Sequence, residues 1–145
     1  MFCYQCEQAK NGVGCTVLGV CGKDDTTATL QDLLVHATKG IAMYAHRAAQ
    51  MGARNPAIDR FVVQALFATV TNVDFDPKRL REHLGEAAQM LGKARELYEV
   101  ACEKNGQTPE TLTGPAAWQP ADDLDGLIAQ GKEVSIANRQ TQLGE

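Results

Sequence analysis

The sequence predicts an all-α fold, a three-helix antiparallel bundle preceded by an irregular cysteine-rich N-terminal loop. Three observations lead there. The stretch from Cys3 to Lys23 is rich in glycine and has neither a helical nor an alternating apolar period. Three later segments repeat apolar residues with four-three spacing, the signature of one buried helix face. Turn signals at Gly52, Asn55-Pro56 and Asp76-Pro77 join those segments closely, and amphipathic helices on short turns pack most economically as an antiparallel bundle.

Each element follows from its residues. In the loop, Gly12, Gly14, Gly19 and Gly22 lie beside cysteines, where a missing Cβ permits positive φ and lets backbone N–H groups approach sulfur. Asp24, Asp25, Thr26 and Thr27 offer N-caps for a first helix whose inward face is Leu30, Leu34, Ala37, Ile41, Tyr44, Ala48 and Met51, with Gly52 as its stop. After Asn55-Pro56 a second helix carries Ile58, Phe61, Val62, Ala65, Leu66 and Thr69 inward and ends near Asn72. Asp76-Pro77 pairs an N-cap with proline in the first turn of a third helix, whose face is Leu80, Leu84, Ala87, Leu91, Ala94, Tyr98 and Ala101, closed by Asn105-Gly106. Beyond Gly106, Pro109, Gly114, Pro115 and Pro120 interrupt any helix. A short acidic helix follows from about Ala121 to Gln130, with Leu124, Leu127 and Ile128, and the last residues read as a linker. The expected division is a loop over 1–23, a bundle over 24–106, and an irregular segment with a short helix over 107–145.

Composition narrows the function. The chain has 145 residues and a formal net charge of -4, which excludes the basic stripe of a general nucleic-acid binder. No N-terminal leader pattern and no run near the roughly 18 apolar residues of a membrane span is present, so a cytoplasmic location is expected.

Chemistry concentrates in the loop. Cys3, Cys6, Cys15 and Cys21 follow the pattern Cys-x2-Cys-x8-Cys-x5-Cys, and four thiolates complete a tetrahedral metal site or hold one iron–sulfur cluster. A reducing compartment disfavours disulfides. Structural zinc sites commonly pair two short cysteine knuckles, whereas only Cys3 and Cys6 form one here. The compact, uneven spacing suits a cluster wrapped by one loop, and zinc stays open on spacing alone. A redox dithiol at Cys3 and Cys6 would need a thioredoxin-like βαβ context, which the helical pattern does not supply. Elsewhere, His36 and His46 read as surface or boundary residues of the first helix. Gln5, Gln8 and Lys10 could donate hydrogen bonds to a cluster or simply be solvated.

The run MFCYQCEQAKNGVGCTVLGVCGK, followed by LQDLL, KGIAMYA and FVVQALFATVTNVDFD, resembles the N-terminus of the hybrid cluster proteins, also known as prismane proteins or hydroxylamine reductases. The resemblance is dense over roughly residues 1 to 80 and loose beyond. It implies that Cys3, Cys6, Cys15 and Cys21 bind a [4Fe-4S] cluster, with [2Fe-2S] the alternative in family members with longer gaps between ligands. It also implies a second, hybrid iron–sulfur–oxygen cluster, whose ligands lie in later domains and have no counterparts here. The expectation is therefore the N-terminal part of an oxidoreductase, relaying electrons from a redox partner to a catalytic site in the remaining domains of a parent protein. By itself this chain is expected to lack hydroxylamine reductase activity, with no nucleic-acid or membrane partner. A small structural zinc or interaction module is the alternative. Cys102 gains no ligand role and reads as a structural thiol.

Overall fold

The protein, seen in a computed structural model that describes residue 3, residues 15–71 and 74–135, and residue 138, is built from α-helices. Among the described residues there are four, α1 (Asp25–Gln50), α2 (Pro56–Val70), α3 (Pro77–Lys104) and α4 (Leu124–Val134), with a 3-10 turn at Gly114–Ala117 and no named strand. The all-α expectation holds. Of the sequence expectations, Cys6, the loop residues Gln5, Gln8, Lys10, Gly12 and Gly14, and the second helix's end at Asn72 fall outside the described residues.

Helix boundaries lie where capping chemistry puts them. The Asp24 carboxylate accepts the Thr27 N–H at 2.7 Å, Asn55 Oδ1 that of Ala57 at 3.0 Å, and Asp76 Oδ1 that of Lys78 at 2.9 Å. Pro56 and Pro77 then occupy the first helical turn, where their missing N–H costs nothing. Gly52 and Gly106, with φ of 82° and 65°, take the left-handed conformation just past α1 and α3.

α1 is the central helix. Its expected stripe from Leu30 to Ala48 is buried, and so are Leu33 and the polar Thr27, Gln31 and Thr38, because other elements cover it on several sides. α1 and α3 run in the same direction. Thr27, early in α1, donates to the Phe75 carbonyl just before α3, and late in both helices the Tyr44 and Tyr98 rings lie 5.8 Å apart. All seven residues of the expected α3 stripe are buried, and Cys102 joins them. α2 leans on α1 and touches α3 little, so its buried face is narrow: Ile58, Phe61, Ala65, Ala68 and Thr69. Leu66, expected inward, is exposed for that reason, and Ala68 takes its place.

The chain after α3 runs back along α1. Gly40 meets the Pro115 carbonyl, and Gly131 lies so close to Thr29 that a Cβ there would stand 2.5 Å from the Thr29 oxygen. Gln130 secures this return: its Oε1 accepts from Trp118 Nε1 at 3.3 Å and from the Ala121 N–H at 3.2 Å, and its Nε2 donates to the Gln119 carbonyl at 2.8 Å. The short helix is thus shifted to Leu124–Val134 from its expected span, with Leu127 buried. Among the described residues no helix is long and apolar enough to cross a membrane.

Candidate metal centre

The described end of the cysteine loop, Cys15 to Lys23, leads directly into the Asp24 N-cap of α1. Cys3 and Cys15 are joined by a single antiparallel backbone pairing, which puts their α-carbons about 4.5–5.5 Å apart. Cys3 is half-buried, Cys15 buried and Cys21 exposed, and all three carry free thiols, as does the buried Cys102. Cys102 lies in α3 within the core, away from the loop, as expected of a structural thiol.

Of the four expected ligands, the structure therefore pairs Cys3 with Cys15. Cys6 lies outside the described residues. Among the described residues no three His, Cys, Asp or Glu side chains converge as a set able to hold a metal ion, so Cys21 does not complete one with Cys3 and Cys15.

What surrounds Cys21 is closely built. The Gly19 N–H donates to the Lys23 carbonyl at 2.7 Å and the Gly22 N–H to the Gly19 carbonyl at 2.8 Å, closing a tight turn in which Gly22 has a φ of 91°. A β-carbon on Gly19 would stand 3.2 Å from Cys21 Sγ and 3.2 Å from Lys23 Cβ. A β-carbon there would also stand 3.0 Å from the Lys23 carbonyl oxygen, so any side chain at position 19 would press on the turn. Cys21 is thus fixed beside Lys23 by the turn between them.

Lys23 is the residue that sequence reasoning missed. It is 1% exposed, and its Nζ has no hydrogen-bond partner among the described residues. The ammonium sits 5.7 Å from the centroid of the Phe75 ring, a cation–π distance. Burying an ammonium without an anion costs several kcal/mol. Asp24 and Asp74 are both engaged by other groups. Asp24 caps α1, and the Thr27 side chain, then the Thr27 N–H, hold its carboxyl below the ordinary value against the opposing effect of burial. Asp74 faces His83 Nε2 at 3.4 Å and Arg79 Nε at 4.0 Å.

This geometry tests whether the loop suits an anionic metal–thiolate group. The donors are free thiols, two of them brought together, and Lys23, buried with no anion among the described residues, follows a third by two residues. That combination fits such a group. His36 is half-buried and His46 exposed, on α1 and outside the loop. An open depression of about 470 Å³, lined by Phe67, Asp74, Phe75, Arg79 and His83 among others, includes no cysteine.

The sequence as a whole decides the family. The model of the Prismane/CO dehydrogenase family matches residues 1–144. The chain belongs to that family. Among curated Prismane relatives, a hydroxylamine reductase of Rhodospirillum rubrum is 52% identical over 144 residues, covering 99% of this chain and 26% of the relative. One of Geobacter sulfurreducens is 52% identical over 143 residues, covering 97% and 26%. A hydroxylamine reductase of Acidithiobacillus ferrooxidans is 47% identical over 148 residues, covering 99% and 27%. The chain spans about a quarter of the length of these relatives.

Proposed function

We propose that this Prismane-family chain holds a [4Fe-4S] cluster on Cys3, Cys6, Cys15 and Cys21 and relays electrons to a reducing site elsewhere in a longer protein. The observation that carries the reading is the pairing of Cys3 with Cys15, both free thiols, in a loop whose adjoining Lys23 is buried with no anion among the described residues. Membership of a family whose relatives are named hydroxylamine reductases supports an oxidoreductase. When bound, such a cluster supplies one-electron transfer without proton chemistry of its own. The loop residues would provide thiolates, and Cys21 would have to join the Cys3–Cys15 pair. Gly19 keeps the turn at Cys21 narrow, and the α1 cap spends the Thr27 N–H on Asp24 rather than on the loop.

In this reading residues 1–23 are the cluster loop, 24–106 a three-helix bundle that braces it, and 107–145 the approach to further domains. The protein is cytoplasmic, and its partners are an electron donor and those domains. The parent enzyme reduces hydroxylamine, breaking the N–O bond with two electrons and two protons to give ammonia and water. This chain by itself does not catalyse that step.

Anaerobic purification with iron and sulfide analysis tests the reading. About four iron and four labile sulfide per chain are expected, with brown absorbance bleached by dithionite. One equivalent of zinc without labile sulfide would sink it in favour of a structural zinc module, a colourless protein unfolded by chelators.

A further inference from the structure

We propose that Lys23 is the fixed counter-charge of an anionic iron–sulfur group on the cysteine loop and raises its reduction potential. This rests on the reading above. Lys23 does not face solvent, and among the described residues no carboxylate comes within ion-pair distance of it. Its carbonyl accepts the Gly19 N–H at 2.7 Å, and its Cβ and Cys21 Sγ converge on one point, each 3.2 Å from where a β-carbon on Gly19 would stand. A cluster held by four thiolates is anionic and gains a further negative charge on reduction. A buried cation nearby favours the reduced form, and net charge and burial are the levers that set such potentials. Bulk salt screens a buried charge poorly, so the effect persists at physiological ionic strength.

The entry to α1 offers a rival account. Lys23, Thr27 and Gln31, four residues apart in sequence, all meet the Asp74–Phe75 segment, and Gln31 Oε1 is also buried without a partner among the described residues. A buried water bridging Lys23 Nζ and Gln31 Oε1 would satisfy both groups and leave the lysine a packing role.

The test is a potentiometric titration, followed by visible absorbance and electron paramagnetic resonance, of anaerobically reconstituted wild-type chain, Lys23→Met and Lys23→Arg. Lys23→Met is expected to lower the reduced-to-oxidised ratio at a fixed potential at least tenfold, 59 mV for a one-electron couple. Lys23→Arg should restore most of the ratio, and iron and sulfide content should match wild type. Lys23→Gln carries the same comparison if Lys23→Met does not fold. A variant with wild-type potential and full cluster content overturns the proposal in favour of the water-bridged lysine and leaves the cluster reading intact. A wild-type chain that takes up no iron and sulfide overturns both, and the failure is then traced to the cluster reading.

Discussion

Gly40 of α1 lies against the Pro115 carbonyl of the 3-10 turn so closely that a β-carbon at position 40 would collide with that oxygen. The contact is backbone on backbone, so no side-chain rotation relieves it. Gly40→Ala is expected to destabilise the fold by about 1–3 kcal/mol, seen as a fall of several degrees in the thermal midpoint by circular dichroism. Gly92→Ala is the control. Gly92 is exposed within α3 and has nothing within 4 Å of its would-be β-carbon, so the substitution should stabilise by about 0.4–1 kcal/mol.

Tyr98 combines a ring packed on Tyr44 with a hydroxyl that accepts the Glu110 N–H at 3.0 Å. Tyr98→Phe keeps the ring. Glu110 is exposed, so water replaces the lost acceptor, and the expected cost in urea unfolding is about 0.5 kcal/mol, the lower end for a hydrogen bond. Tyr98→Ala should cost about 3–5 kcal/mol, because it also opens a cavity against α1.

The cap at Asp24 makes stability depend on acid. Its carboxyl is held below the ordinary value in the folded chain, so its contribution is complete above the unfolded carboxyl value of about 3.9 and is lost as pH falls through the lower folded value. Asp24→Ala should cost about 0.5–2 kcal/mol at neutral pH. Asp24→Asn keeps an acceptor for the Thr27 N–H and should flatten this group's share of the acid-side decline, measured by thermal melts from pH 7 to pH 2.5.

The two buried thiols should behave oppositely toward metal. Cys15→Ala is expected to abolish bound iron and visible absorbance after anaerobic reconstitution. Cys102→Ala, in the α3 core, should retain both and lose about 1 kcal/mol of stability. Loss of iron in Cys102→Ala with its fold intact would overturn the assigned ligand set.

Much of the helical framework was legible because its signals are local. Asp24, Asn55-Pro56 and Asp76-Pro77 marked the observed starts of α1, α2 and α3, since capping depends on residues a few positions apart. The α3 stripe from Leu80 to Ala101 was read without error because α3 buries one face against one main neighbour. Leu66 was misplaced because periodicity cannot tell how wide a helix's contact will be, and α2 presents only a narrow strip to α1. The buried polar Thr27 and Gln31 were missed for the converse reason: their partners, the Phe75 and Asp74 carbonyls, lie more than forty residues away.

The sequence by itself determined the starts of α1, α2 and α3 and the all-α class, because caps, proline and apolar period act over one or two turns of chain. Only the tertiary structure decided that α1 is covered on several sides, that the segment after α3 returns along it through Gly40 and Gly131, and that Lys23 is buried with no anion among the described residues. Those facts depend on which distant surfaces meet. Burial of a charge is a property of the assembled interior, and no local pattern in the residues around Lys23 encodes it.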